Sequence, residues 1–548
     1  METIMFFFWF IHLTIASEWS GWGGNIYNNR WASQNVDVIT SSNFGSICSR
    51  CSVSYPVGIS ATPVLSQQGS LAYFPTWNGS LVAFDYNSCE VVWQVNVTHV
   101  ISSFAPITDL QVNQSIPLCS RTSPQVDGDV LYFGTLAHAL MVAVNRHTGA
   151  ILAVIQTSPH PMALVTMSPT FYDGRLFVGV SSNEEEAAEL SNYVCCSFVG
   201  TMLALQFRNG HFNVLWNTTM IPAFRVKEGW SGAAVWGSQP SIDTARSQVF
   251  IATGNAYTVP EAIISCQNAT ASGSKEIQVS DPCLPKDIWQ EAVLAIDIDL
   301  GVPNWVHQLP PLDAFTFACG IPGFTPKENP ASCPQLPGTD ADFGMAPTFV
   351  PGSKYTPQSQ DTIIIGQKNG NLYAMSAQTG HVFWSVATSP GGAGGGLSWG
   401  VAVDDKRVYF SAINSAEVTW QLQPSNQTAI KSAHGAASLL NGSLIWEVDA
   451  EGIARSMPTI VGDLVLVGRT GTDPNSDGSY DETLGSFVVL NKATGTLLVN
   501  RELDANFHGG IAVKGRHIMF GTGYNTFTGN GTFHVMQVLQ KGEPCQFE

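Results

Sequence analysis

A short pattern returns seven times along this chain: a strand with Ala or Val, a turn of Asp/Asn type, a glycine and, in most copies, a tryptophan a few residues on. It reads VAFDYNSCEVVW at 82–93, VAVNRHTGAILA at 142–153, LALQFRNGHFNVLW at 203–216, LAIDIDLGVPNW at 294–305 and YAMSAQTGHVFW at 373–384. Weaker copies are AASLLNGSLIW at 436–446 and VVLNKATGTLLV at 488–499. Counted from the Ala or Val six residues before the glycine (Cys89 stands in its place in the first copy), they begin at 83, 143, 204, 295, 374, 436 and 489. The steps of 60, 61, 91, 79, 62 and 53 residues each hold one four-stranded blade plus loops of variable length, which is the signature of a β-propeller. The turn supplies positive φ at its glycine, and the tryptophan is placed to pack between blades. A last strand, GTFHVMQVL at 531–539, predicts an eighth blade completed by the N-terminal segment, because such closure removes open sheet edges. The expected fold is all-β, a single propeller domain over 18–548 with eight blades favoured over seven.

Composition agrees and excludes some functions. Only 12% of the 548 residues are charged, while Gly (51), Pro (30) and Trp (15) are plentiful, a mixture suited to short strands and turns. A net charge of −18 without a basic patch argues against nucleic acid or an anionic membrane as partner. Residues 1–17, METIMFFFWFIHLTIAS, carry an apolar run too short to span a bilayer and read as a cleaved signal peptide, so a secreted chain with no membrane span is expected. Eight Asn-x-Ser/Thr sequons, at Asn78, Asn96, Asn113, Asn217, Asn268, Asn426, Asn441 and Asn530, suit that route. Eleven cysteines suggest several disulfides and at least one odd thiol, with the pairing open. Cys51 is followed by Ser52, so no Cys-x-x-Cys-His haem motif exists. The loop DPNSDGSYDETL at 473–484 begins like an EF-hand through Asp473, Asn475, Asp477 and Gly478. Leu484 stands where a bidentate Glu is required, so it reads as an acidic loop.

The stretch WGSQPSIDTARSQVFIATGN at 236–255 carries the first chemical signal. Trp236 at a sheet rim is either a stacking platform or a core residue; Asn255 after Gly254 is either a cation-facing amide or a strand-end turn. Glu184, Glu185 and Glu186 read equally as a solvated acidic loop, and Lys368 before Asn-Gly as a turn charge. The hydroxyls of Thr166 and Ser181 could bond their own backbone.

Taken together, several segments resemble the quinoprotein (pyrroloquinoline quinone, PQQ) alcohol dehydrogenases, in the branch of the polyvinyl alcohol dehydrogenases. They are EWSGWGGNIYNNRWAS (18–33), SRTSPQVDGDVLYFG (120–134), GVSSNEEEAAELSNYVCCSFVGTMLALQ (179–206), SGAAVWGSQPSID (231–243), TDADFGMAPTF (339–349), IIIGQKNGNLYAM (363–375) and GGAGGGLSWGVAVD (391–404). The resemblance implies PQQ stacked on Trp236, with Ca²⁺ held by Glu184 and Asn255 beside the cofactor's own oxygens. It places Thr166 and Ser181 against the cofactor's carboxylates, Lys368 by the quinone oxygens, and Trp399 with Ser398 and 508–510 at further cofactor-facing positions. Cys195 and Cys196 match a Cys-Cys pair of that branch, followed by Val199 in place of an Arg. A vicinal disulfide and two separate bridges both remain open. The family's Trp-Asp pair is matched by Phe315-Thr316, which leaves Asp313 as the candidate base for the alcohol proton.

The implied activity is oxidation of secondary or polymeric alcohols, with electrons passed to an external acceptor, a cytochrome or a quinone. The alternative is a catalytically inactive propeller that binds a protein or glycan.

Overall fold

The computed structural model describes residues 19–35, 37–271, 281–320, 329–415, 418–471, 482–524, 530–540 and 543–545. The expected signal peptide at 1–17 lies outside them, as do residues 473–481 of the EF-hand-like loop. Eight sheets follow one another along the chain, each with neighbouring strands in antiparallel order. Blades 1 to 7 span residues 64–96, 125–156, 163–219, 241–308, 348–387, 402–449 and 459–503. Blade 8 joins Ala512–Lys514, His517–Gly521 and Asn530–Val538 to the N-terminal strand Ile47–Pro56, which lies antiparallel to 530–538 with Cys48 opposite Gln537. The ring therefore closes as the sequence predicts.

Middle strands are sandwiched between neighbouring blades and read as nearly unbroken buried runs, as in Ser80–Asp85. The outer strand Glu90–Asn96 faces solvent and is largely exposed. The tryptophans do what the repeat suggests. Trp93, Trp216, Trp305, Trp384 and Trp446 each donate their indole N–H, at 2.9–3.2 Å, to a backbone carbonyl in the next blade's turn: Arg146, Ile298, Ala377, Leu439 and Lys492. Each ring also lies over the turn glycine three residues further on. A Cβ at Gly301, whose φ is +70°, would meet the Trp216 ring at 2.5 Å. Where blade 2 carries Ala153 instead, the glycine of blade 3, Gly210, has nothing within 4 Å of a Cβ.

The seam between blades 8 and 1 uses other means. Arg50 Nε donates at 2.9 Å to the carbonyl of Tyr86, the position the tryptophans use elsewhere, and Cys51 is bridged to Cys89, which holds the turn's positive φ (62°). A second bridge, Cys48–Cys545, ties the two ends together. Cys266–Cys283 and Cys319–Cys333 close two long loops, Cys195–Cys196 is a vicinal disulfide, and Cys119 is buried and unpaired.

The connections at the two ends of the strands differ. The turn face has short hairpins; the other face carries the long loops 183–200, 253–291, 309–347 and 414–431. Residues 19–32 run across the axis on the turn-face side, their carbonyls accepting from Leu65, Ile242, Phe349, Val403 and Ile460 on innermost strands of five blades. Arg30, 1% exposed, anchors this plug by donating to Pro458 O and Thr459 Oγ1 beneath the rings of Trp19 and Trp22.

Candidate active site

On the long-loop face a cavity of about 300 Å³ opens over the axis. Trp236 lines it and also the chamber beneath, so its ring divides the two spaces. Two features hold the ring: Nε1 donates to Asp342 Oδ2 at 3.0 Å, and Gly344 leaves the space a Cβ would fill 2.9 Å from the indole. Trp399 meets it edge-on, with centroids 6.4 Å apart and planes at 80°. At one side Thr166 Oγ1 lies 2.8 Å from Ser181 Oγ and donates to Trp236 O at 3.0 Å. Both hydroxyls line the cavity together with Arg121.

Lys368 leaves the end of the strand Thr362–Gly366, which aims its side chain inward. Its Nζ lies 2.6 Å from Asp340 Oδ1, 3.3 Å from Asp342 Oδ2 and 5.5 Å from the Trp236 ring centroid. Burial would lower the pKa of this ammonium, but the charges of Asp340 and Asp342 outweigh it and hold the value above the ordinary one. Asp342 is fully engaged: its second oxygen accepts the Asn255 N–H at 2.6 Å. Asp340, 1% exposed, has its pKa raised well above the ordinary value by burial, against the pull of Lys368.

Several expected residues sit here and others do not. Trp236, Thr166, Ser181, Lys368 and Trp399 line one cavity. Glu184 does not line it. It is 0% exposed, and its carboxylate accepts from Tyr193 Oη (2.7 Å), Ser197 N (2.8 Å) and Phe198 N (2.7 Å), so it anchors the segment bearing Cys195–Cys196. Burial pushes its pKa up, yet bonds from His160, Tyr193 and Phe198 bring it below the ordinary range. The acids of this run that line the cavity are the next two residues, Glu185 and Glu186, and Glu185 is the one with an unpartnered oxygen. Its Oε1 is buried without a hydrogen-bond partner, and burial together with Asp340 and Asp342 raises its pKa well above the usual value.

Asp313 is likewise displaced from the cavity. Its carboxylate accepts from Ala341 N at 2.7 Å and Asp340 N at 3.3 Å, holding the loop that presents Asp340 and Asp342. Thr316 is 0% exposed and donates to Ser332 O. Cys196 packs against the same apolar cluster as Trp236 without lining the cavity. Asn255, 1% exposed, donates its amide hydrogens to Ala256 O and Phe315 O, so Oδ1 is its remaining group. Asp340, Asp342, Glu185 and Arg121 were missed as candidates. The Asp-Ala-Asp of 340–342, two acids one residue apart, was the available signal.

Among the described residues no three His, Cys, Asp or Glu side chains stand close enough to hold a metal alone. The donor set nevertheless fits a flat, acidic cofactor with a hard cation: an aromatic platform, two hydroxyls and an arginine for carboxylates, one lysine, and an unpartnered carboxylate oxygen on Glu185.

A repeat-family model described as outer membrane protein assembly factor BamB matches residues 368–496. A polyvinylalcohol dehydrogenase of Pseudomonas sp is 27% identical over 413 residues, covering 73% of this chain and 55% of that protein. One of Sphingopyxis sp. (strain 113P3) is 25% identical over 508 residues, covering 84% and 68%. The chain thus spans about half the length of the first of these relatives. Among solved structures, the quinohemoprotein alcohol dehydrogenase of Comamonas testosteroni has a TM-score of 0.67 at 14% identity, covering 97% of this chain and 82% of that one. A europium-containing methanol dehydrogenase has a TM-score of 0.66 at 14% identity, covering 95% and 98%. In sequence the chain is thus similar to polyvinyl alcohol dehydrogenases, and in architecture to quinoprotein alcohol dehydrogenases, which together support a PQQ-dependent alcohol dehydrogenase-like family.

Proposed function

We propose that the chain is a quinoprotein alcohol dehydrogenase that binds PQQ and Ca²⁺, oxidises secondary or polymeric alcohols, and passes electrons to an external acceptor, a cytochrome or a quinone. The observation that carries this reading is the joint presence, around the Trp236 ring, of Lys368 paired to Asp340 and Asp342 and of the unpartnered Glu185 oxygen. When bound, PQQ and its metal supply the electrophilic carbonyl that accepts hydride from the alcohol carbon. Trp236 carries the ring, Thr166, Ser181 and Arg121 face its carboxylates, and Lys368 supplies positive charge for its quinone oxygens. Glu185, in place of Glu184, and Asn255 through Oδ1 are the protein's share of the cation site.

Asp340, in place of Asp313, is the base: neither carboxylate lines the cavity itself, but Asp340 is paired directly to Lys368, which does. Lys368 holds its Oδ1, which leaves Oδ2 to take the alcohol proton, and a raised pKa brings a carboxylate closer to the working range of a general base. Asp342 positions Trp236, Lys368 and the backbone of Asn255. Five disulfides support an oxidising compartment. The asparagines of all eight sequons are exposed, which supports glycosylation on a secretory route. No helix among the described residues is long and apolar enough to cross a membrane.

The test is a fluorescence titration of the protein with PQQ, with and without Ca²⁺, in the wild type and in Trp236→Ala, followed by dye reduction with alcohols. Saturable, Ca²⁺-dependent quenching lost in the variant is expected. No binding at any Ca²⁺ concentration would leave the inactive binding propeller as the reading.

A further inference from the structure

Away from the axis, the seam between blades 6 and 7 holds a second cavity of about 220 Å³, room for roughly seven groups of water size at ~30 Å³ each. Val448, Val488, Leu490 and Leu497 form the apolar part of its wall, and Gln427, Thr496 and Asn500 add polar groups. Two buried polar side chains also line it: His434, on the strand Ser432–Ser438 and 2% exposed, and Arg469, on the strand Leu464–Thr470 and 3% exposed.

Both are fixed through other atoms and keep buried nitrogen unbonded. Ser411 Oγ lies 3.0 Å from His434 Nδ1, and Arg469 Nη1 donates to the carbonyls of Ala450 at 3.1 Å and Glu451 at 2.9 Å. His434 Nε2 and Arg469 Nε have no hydrogen-bond partner. Buried polar groups are bonded as a rule, so two orphans lining one cavity point to a partner the chain does not supply. The repeat sharpens this. Two residues before the repeat's reference position, the other six copies carry Leu81, Met141, Met202, Val293, Leu372 and Phe487, all buried. Only this copy has a polar side chain there, so packing alone does not call for His434.

The chemistry of the partner follows from the lining. Burial and the neighbouring Arg469 push the His434 pKa down to about 3, so the imidazole is neutral and the guanidinium is the charge at depth. Asp449 and Glu451 also line the cavity, and Glu451 Oε2 already lies 3.3 Å from Arg469 Nη1, which selects against a dianion such as phosphate. We propose that this seam binds a small aliphatic monocarboxylate, its oxygens on Arg469 and His434 and its hydrocarbon against the four apolar side chains. The site is independent of the axial one and of the function proposed for it.

The experiment is calorimetric titration of the full chain with butanoate, beside 1-butanol, butylamine and phosphate. Saturable binding of butanoate about tenfold or more tighter than 1-butanol is expected, because only the former gains charge-assisted hydrogen bonds. Arg469→Gln should abolish it. Since replacing a buried arginine can unfold the blade, Leu497→Trp serves as a second variant: Leu497 is 50% exposed, and the larger ring fills the groove from the solvent side. It should keep the wild-type circular dichroism and melting curve and lose butanoate. Trp236→Ala should bind butanoate like the wild type. Absence of binding at any soluble concentration, equal binding of 1-butanol, retention in Leu497→Trp or loss in Trp236→Ala would each overturn the proposal.

Discussion

On the turn face, blade after blade ends in a tight loop whose carbonyl and glycine are met by the tryptophan of the preceding blade. On the opposite face, the same strands run out into long loops that bury Glu185, Asp340 and Asp342 with one lysine among them. The first arrangement satisfies each polar group within a neighbouring pair of blades. The second concentrates like charges out of water, where their mutual repulsion and lost hydration raise their pKa values. Stability is therefore assigned to one face and reactivity to the other, and a substitution on either face should be felt mainly in its own currency.

Changes on the reactive face are expected to be largest. Asp340→Asn should lower kcat by about 10²–10⁴-fold, the usual contribution of a general base, and lower the melting temperature as well, because Lys368 loses its nearest counter-charge. In the wild type the rate should fall as pH drops through the raised pKa of Asp340, because only the ionised carboxylate accepts the proton. A kcat reduced by less than tenfold in steady-state dye reduction would return Asp313 to consideration. Next comes Trp216→Ala, which removes an indole packed at a seam and should cost about 3–5 kcal/mol in denaturant unfolding, while PQQ affinity holds. A large loss of PQQ affinity would break the division between the faces.

Two adjacent acids show the same division of roles within one loop of the long-loop face. Glu184→Gln should cost about 1–3 kcal/mol, because the backbone N–H groups of Ser197 and Phe198 lose a charged acceptor. Glu185→Gln should leave melting unchanged or raise it, and should weaken the Ca²⁺ dependence of PQQ quenching. Equal effects of both changes on that dependence would restore Glu184 as a ligand. The smallest effect is expected at turn glycines. Gly210→Ala, with open space around it, should cost about 1–2 kcal/mol from positive φ alone, and Gly301→Ala more, because the added carbon meets the Trp216 ring.

The blades were legible because their repeat is local: strand, turn glycine and tryptophan lie within about a dozen residues, so the pattern survives loops of any length. Lys368, Trp236, Thr166 and Ser181 were named through the resemblance of their flanking motifs, since each residue alone reads equally as a turn charge, a core ring or a strand-end hydroxyl; the structure brings all four to one cavity. Glu184 and Glu185 were not separable. They open the short helix Glu184–Ala187, where each step turns the side chain by about 100°, so one residue decides between facing the disulfide segment and facing the cavity. Asp313 attracted the role of base through its neighbours in sequence, whereas Asp340 reaches Lys368 from a loop with no period to read. The Cys51–Cys89 bridge was hidden for another reason: Cys89 looks like a failed turn glycine until Arg50 and Cys51 are seen to replace the tryptophan.

The closing strand has a consequence for how such a chain is made. Ile47–Pro56 emerges from the ribosome long before its partner Asn530–Val538, and Cys48 precedes Cys545 by 497 residues. At roughly 5–20 residues per second that interval is about 25–100 s. Throughout it, the outermost strand of the last blade has no sheet to join, and its backbone is open to pairing with other strands. Cys51 needs to wait only 38 residues for Cys89, so the nascent strand is tethered to blade 1 early and held where the last blade will arrive. The bridge at that seam thus acts as a bookmark during synthesis as well as a fastening in the finished ring.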